Sequence, residues 1–418
     1  MRRGLCVLAL SVAAATLDPR PASAQSAASD PSTTTFTLRT SIKASALFFR
    51  APDAPDLFPK RTGAESIWRL RVEPEVRSGS RATFTFAYEQ RLRYTSDARG
   101  MATVGILPSQ AEAPYRIRAL DWRLAESFGA SWRHEIDRAT AQWRVRRADI
   151  TVGRQAIGWG RGVMFGAVDL FAPFSPLEAD REWRRGVDAI RTDVKLTDRS
   201  SLDLVGVFGT SWDRSVLAAR ARGYAGSVDI EVMGGRRARD LFGGMTTSAS
   251  IGDAELHGEL AAFRVPSDVA DGDTSLVWKA VVGGSYRFPI GSGILAYAEY
   301  HYSGFGAPRA EDILALLSTP GFTERYLRGD TQILSRHVMA VTGVYEASPE
   351  ISYTGQWVHN PRDRSGIVVP GLTYTLSDQV SLLGTAHIPY GRTPRGLVLR
   401  SEFGSAALSA LLQLRLYL

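Results

Sequence analysis

Cysteine is nearly missing from this 418-residue chain: Cys6 is the only one. It sits in the first dozen residues, so the rest of the chain has no thiol and no disulfide, and Cys6 lacks a lipid-attachment context. Lysine is scarce too. Only Lys43, Lys60, Lys195 and Lys279 occur, so 46 of the 50 basic residues are arginine. Beyond residue 24 no segment holds the ~20 apolar residues that a membrane-crossing helix needs. A Gly-x-x-x-x-Gly-Lys-Ser/Thr phosphate loop and a Gly-x-Ser-x-Gly elbow are both missing. The six histidines (134, 257, 301, 337, 359 and 387) are scattered, with no pair at metal-ligand spacing. Neither a metal nor a cofactor is expected. His134 and His387 read as girdle or loop residues.

The N-terminus carries a targeting pattern. Arg2 and Arg3 precede an apolar run from Leu5 to Leu17. Pro19 and Pro21 follow, and Ala22-Ser23-Ala24 forms a small-x-small cleavage site before Gln25. This predicts a secretory signal peptide over residues 1–24. Export without a spanning helix leaves periplasm, secretion or an outer-membrane barrel.

The period of the apolar residues points to the barrel. Alternate side chains of a strand face opposite ways, so a half-buried strand shows a period of two. Phe36, Leu38, Thr40, Ile42, Ala44, Ala46 and Phe48 alternate with Thr37, Arg39, Ser41 and Lys43. Trp68, Leu70 and Val72 alternate with Arg69, Arg71 and Glu73, and Phe84, Phe86 and Tyr88 with Thr85 and Glu89. The rhythm persists through Ile294–Tyr302 and Leu372–Leu376. Tight turns at 78–80, 197–199, 252–253, 348–349 and 377–378 alternate with long segments at 50–63, 96–113, 157–184, 305–336 and 389–405. Short turns on one side and long loops on the other are the layout of outer-membrane barrels. The expected fold is all-β: one transmembrane antiparallel barrel over residues 25–418, with about 18 strands (range 16–20). Loops 157–184 and 305–336 either fold inward or pack on the rim. Register is unclear over Ser211 to Asp240, and Ala310 to Ser318 reads as a short helix. A soluble sandwich or propeller would also alternate. However, the strands exceed the ~5–6 residues usual in soluble sheets, and no blade repeat is visible.

The chain ends on Ala406, Leu408, Ala410, Leu412, Leu414, Leu416 and Leu418, all on one face. A bare apolar edge invites aggregation, so this strand is expected to close against the first. It is similar to the C-terminal assembly signal of outer-membrane barrels, although the last residue is Leu418 rather than an aromatic. The similarity implies the barrel-assembly machinery as a partner, beside lipid and lipopolysaccharide.

On the face expected to line the lumen lie Arg39, Arg69, Arg71, Arg91, Arg93, Arg116, Arg118, Arg133, Arg144 and Arg146. Arginine on the lipid face costs roughly 2–4 kcal/mol near the midplane, so these side chains belong inside. A stripe of guanidinium forks favours anions. The competing expectation is a self-neutralised lumen, with Glu65, Glu73, Glu75, Glu89, Glu135 and Asp149 as partners. Because alternation spreads the basic residues along a lumen, the net charge of +7 does not point to nucleic acid.

A mid-chain motif runs Gly153-Arg154-Gln155-Ala156-Ile157-Gly158-Trp159-Gly160-Arg161-Gly162. It continues through Asp169, Pro173 and Pro176 to Asp180-Arg181-Glu182-Trp183-Arg184-Arg185. Arg154, Gln155, Trp159, Arg161, Asp169, Asp180, Arg181, Arg184 and Arg185 are the candidate constriction residues. Over about residues 140–195 the chain resembles the alginate-export-like and related porin-like families, with their Gly-Arg-Gln strand end and Trp-Gly-rich loop. The resemblance implies passive export or uptake of an anionic or polysaccharide solute, and carries over Arg154 and Gln155 with the glycines. A channel or exporter is the leading expectation and no enzymatic activity is expected. The alternatives are a barrel hydrolase, for which His301 with Ser303 would be a candidate pair, and a structural or adhesive barrel with a filled lumen.

Overall fold

The structure is a computed structural model that describes residues 33–96, 105–107, 114–266 and 276–418. The signal segment expected at 1–24 and most of the 96–113 segment lie outside the described residues. No helix among the described residues is long and apolar enough to cross a membrane. The chain forms a closed antiparallel β-barrel of eighteen strand positions. Closure is made by β1 (Thr34–Arg50) and β19 (Leu408–Tyr417), which pair from Ser41↔Tyr417 to Arg50↔Leu408. The leucines of β19 at even positions point outward, while Ser409, Leu411 and Gln413 are buried inside. The final strand is therefore no free edge, as its one-faced apolar pattern predicts.

Nineteen strands occupy those eighteen positions, for a local reason. After β2 (Thr62–Ser78) and β3 (Ala82–Thr95), the short β4 (Asp121–Ser127) makes a hairpin with β5 (Ala130–Val145). The next strand, β6 (Ala148–Gln155), pairs with the other half of the same β5 edge, Ala139 to Val145. β4 and β6 thus share one wall position end to end. β5 also carries a bulge: Ala87 faces Arg138 but Tyr88 faces Ile136, leaving Asp137 over. One inserted residue reverses the facing of everything after it. This explains why the outward residues of β5 are even at Trp132 and odd at Trp143.

From β7 (Val187–Thr197) and β8 (Ser200–Val207) onward, each strand pairs with the next. The segment of unclear register holds a short 3-10 turn at Trp212–Arg214, then β9 (Val216–Ala225) and β10 (Val228–Arg237). Outward faces are apolar, with Phe36, Trp68, Trp132 and Leu412 among the exposed side chains. Outward aromatic side chains join in pairs, such as Tyr88 with His134 (2.9 Å) and Tyr300 with His337 (2.6 Å). His134 thus lies on the outer face. His387 lies on the inner face of β18 (Val380–Tyr390), 1% exposed.

The apolar core lies inside the barrel. Trp159, Phe165 and Phe171 of the segment between β6 and β7 pack on inward Val205, Val207 and Phe263. The long segment before β15 (His337–Glu346) holds α1 (Ile313–Leu317) and α2 (Pro320–Arg328). The first matches the expected helix. The second went unread in the sequence, although its proline at the first turn and Gly329 at φ 83° after its end are ordinary helix boundaries.

Candidate functional site

The site begins at the seam between β4 and β6. A break in a barrel wall leaves backbone carbonyls without ladder partners, and such groups are costly to bury unpaired. Arg154 fills the break. Its guanidinium donates to the carbonyls of Ala119 (2.8 Å), Ile136 (2.9 Å) and Arg118, and to the Asp188 carboxylate at 2.7 and 3.0 Å. Gln155 beside it donates to the Ala189 carbonyl at 3.2 Å. Gly186 must be glycine here, since a Cβ would lie 2.1 Å from the Asp137 carbonyl and 2.8 Å from the Arg154 side chain. The Gly-Arg-Gln signature thus has a mechanical role. Arg154→Met is expected to destabilise the barrel by about 3–5 kcal/mol, as for a broken buried ion pair, with Arg154→Lys intermediate because it lacks the fork. Thermal unfolding in detergent checks this; an unchanged midpoint for the Met variant rejects the role.

Beyond the seam, the segment 156–186 enters the lumen and is held by two wall carboxylates. Glu259 on β12 (Ala254–Arg264) accepts the amides of Arg161, Gly162 (2.8 Å), Ala167 (2.6 Å) and Val168 (3.3 Å). Glu299 on β14 (Ile294–Ser303) accepts those of Val163 (2.5 Å), Met164 (3.0 Å) and Phe165 (3.0 Å). The Gly166 amide goes to Gln332 at 2.8 Å. Every amide from Arg161 to Val168 is satisfied by a side chain rather than by secondary structure. Gly160, at φ +108°, lets the backbone come this close; a Cβ there would sit 2.7 Å from Glu259. Sequence reading named the loop but missed both glutamates, because nothing on β12 or β14 marks them apart from other inward acids.

A cleft of about 220 Å³ opens between the loop and the wall, lined by Trp159, Met164, Phe174, Arg181, Arg184 and Glu259 among others. Arg184 pairs with Asp169 at 2.7 Å. Arg181 is different: its guanidinium donates to the carbonyls of Val163 (3.3 Å) and Pro176, and makes no salt bridge among the described residues. Trp159 donates to Asp203 at 3.2 Å, and Arg161 reaches Asp229 and Glu231. On the far side, Asp180 takes Lys43 at 2.8 Å and Arg69 at 3.4 Å, and Trp183 lies under the Lys43 ammonium at 3.8 Å. Burial pushes the Asp180 carboxyl up, but Lys43 and Arg69 together hold it below the usual range.

The inward arginines of the strands, together with Arg116, which lies in the segment before β4 and not on a strand, are matched by acids. Arg69 pairs with Glu89 (2.9 Å), Arg71 with Asp137 (2.8 Å), Arg133 with Asp121 (3.0 Å), Arg91 and Arg116 with Glu135, and Arg93 with Glu65. Arg185 adds a contact to Glu135 at 3.9 Å. This is a charge-paired ladder rather than a row of free cations. Two expected members lie outside the lumen stripe. Arg146 is in the β5–β6 turn with φ 53°, and Arg118 is an exposed loop residue whose carbonyl serves Arg154. Two others, Arg39 with Glu73 and Arg144 with Asp149, are inward but exposed toward the turn end. Alternation alone does not say where a strand ends, which is why the four looked alike in sequence. His301 and Ser303, the candidate hydrolase pair, are both fully buried, and Phe165 stacks on the His301 ring.

One group in the loop titrates near neutrality. Burial raises the Glu178 carboxyl to about 7, against a bond from the Ser175 amide and the pull of Arg69. A raised acid keeps in the folded state a proton that the unfolded chain loses above 4.5. Its effect on stability therefore turns unfavourable as pH rises from there toward 7. The Arg69–Asp180–Arg181 neighbourhood also gains one negative charge over the upper part of that range. Reversal potentials are expected to move toward cations between about pH 6 and about pH 8. In Glu178→Gln they should stay level; an equal shift in both forms would assign the effect elsewhere.

A closed antiparallel barrel that is apolar outside, charge-paired inside and narrowed by an inward loop has the fold of the outer-membrane porins. Solved structures bear this out at the level of fold. The chain is similar to OccAB1 of Acinetobacter baumannii (TM-score 0.53, 8% identity, covering 92% of this chain and 96% of that one). It is also similar to a BenF-like porin from Pseudomonas fluorescens Pf-5 (0.52, 10%, 92% and 98%) and to OccK9 (OpdG) of Pseudomonas aeruginosa (0.51, 10%, 91% and 98%). No family model matches the chain, and no curated protein matches it in sequence.

Proposed function

We propose that the protein is a channel of the Gram-negative outer membrane that passes small hydrophilic solutes, anions in preference to cations. The observation that carries the anion preference is Arg181, a loop guanidinium that lines the cleft, donates to the Val163 and Pro176 carbonyls and the Met164 sulfur, and makes no salt bridge among the described residues. The paired arginines of the wall line the lumen around it, and their guanidinium forks can offer remaining N–H donors to a passing carboxylate. The cleft is smaller than the roughly 300–1,000 Å³ of common ligand sites. A single sugar or organic acid suits it better than a polymer. The polysaccharide implied by the alginate-export-like resemblance would need the loop to withdraw. We assign outward strand faces to lipid and lipopolysaccharide, and β19 to recognition by the assembly machinery.

Planar-bilayer conductance tests the reading. Open-pore current with an anion-selective reversal potential is expected, with Arg181→Gln moving it toward cations. Replacing Arg91, Arg93, Arg116 and Arg118 together with Gln is expected to shift selectivity in the same direction, by freeing Glu65 and Glu135. Unchanged selectivity in both variants would reject the anion preference. The second reading, a structural barrel with a filled lumen, is favoured by the apolar core around Phe165 and Phe171. Absence of current at every salt concentration would establish it over the channel.

A further inference from the structure

The inner wall near the loop end holds a polar cluster that the ion-pair network leaves unsatisfied. Lys279 on β13 (Leu276–Phe288) and Ser303 on β14 are direct cross-strand partners, and His301 faces Val281 in the same ladder. All three point inward, and none is more than 1% exposed. Among the described residues, both ring nitrogens of His301 and the Ser303 hydroxyl lack a hydrogen-bond partner. The Lys279 ammonium has no hydrogen bond or ion pair among the described residues, and it is the charge acting on the His301 ring. Phe165 of the inward loop stacks on that ring, centroids 5.2 Å apart and planes at 15°.

The carboxylates around Lys279 are Asp330, Glu259 and Asp169. None of them touches the ammonium: Asp330 serves Arg237, Arg325 and Arg328, Asp169 serves Arg184, and Glu259 is turned to neutral loop amides, which leave its charge in place. A nearly buried ammonium without a counter-charge in contact is unfavourable, and so are an unpaired buried hydroxyl and imidazole. Water would satisfy the donors but put no counter-charge against the ammonium. A small anion does both. The ammonium offers three N–H donors, the serine one O–H, and a neutral imidazole one N–H.

We propose that Lys279, His301 and Ser303 form an occluded site for one small monovalent anion of chloride size. The bound ion gives the Lys279 ammonium a counter-charge in contact and, through His301, steadies Phe165 and the loop that carries it. The site does not depend on whether solute crosses the barrel.

Crystals of the whole chain grown in sodium bromide decide the matter. One anomalous peak within hydrogen-bond distance of the Lys279 ammonium and the Ser303 hydroxyl is expected. In detergent solution, replacing gluconate by chloride at constant ionic strength should slow exchange of the Phe165 amide about tenfold once chloride reaches ten times its Kd. Lys279→Met should lose both effects. Water alone in the bromide crystals would overturn the proposal. So would a bromide peak that persists in Lys279→Met, which would mean an adventitious ion only. If that variant does not fold, the wild-type bromide crystals alone give the answer.

Discussion

Glu259→Ala is expected to free the inward loop from the wall without unfolding the barrel. Four backbone amides lose a charged acceptor at once. Hydrogen bonds to charged groups contribute about 1.5–3 kcal/mol each, so the loss, discounted for water entering the vacated space, is on the order of 5 kcal/mol. At 1.4 kcal/mol per decade, that raises local opening by roughly 10³-fold or more. Native-state hydrogen exchange should show it as loss of protection from Arg161 to Val168, with strand amides unaffected. Open-pore conductance should rise as the loop leaves the lumen. Glu259→Gln keeps one acceptor oxygen but turns an NH₂ group toward two amides, so its effect should fall between. Exchange that stays slow in the Ala variant would show that the apolar packing of Phe165 and Phe171, not the carboxylate, holds the loop.

The second large effect is expected at Asp330, which is fully buried and shared by three arginines. Arg237 contacts one oxygen, Arg325 the other at 3.0 Å, and Arg328 both at 3.1 and 2.5 Å. Asp240 supports Arg325 through two bonds of 2.9 Å. Asp330→Asn leaves three guanidinium groups facing one remaining carboxylate. The cost of uncompensated buried charge, about 3–5 kcal/mol, should fall on the helical segment 305–336. Trypsin then reads the change directly, because cleavage after Arg325 and Arg328 requires the segment to open. Faster cleavage by two orders of magnitude or more is expected, and equal rates would show that the cluster does not hold the segment. Burial acts to raise the Asp330 carboxyl, but Arg237, Arg328 and Arg325 hold it far below the ordinary carboxylate range. Its contribution is therefore complete above the unfolded value of 3.8 and lost only as pH falls below that toward the folded value. Between neutrality and mild acid this cluster should be insensitive to pH, in contrast to Glu178.

The strand pattern was legible because oil and water sit on opposite faces of one sheet. Phe84, Phe86 and Tyr88 had to alternate with polar neighbours, and the tight turns at 78–80 and 252–253 cut the rhythm where the chain reverses. The eighteen positions follow from that periodicity. The shared position of β4 and β6 does not, because the break between them is filled by one arginine from the side, and no local pattern marks a side chain standing in for backbone. The arginine ladder was legible as inward-facing, but its charge balance was not. Pairs such as Arg71 with Asp137 and Arg116 with Glu135 join residues 66 and 19 positions apart, and that distance is set by register and loop entry.

By itself, then, the order of residues determined a closed transmembrane wall, its faces, its turns and the strand that seals it. All of these rest on near-neighbour periodicity and on the poor solubility of charge in lipid. What the inside of that wall does was set by packing in three dimensions. Glu259, Glu299, Asp330 and Lys279 resemble any other inward polar residue in sequence. Their roles depend on which amides, arginines or empty space the two inward segments bring to them, and those segments are far away along the chain.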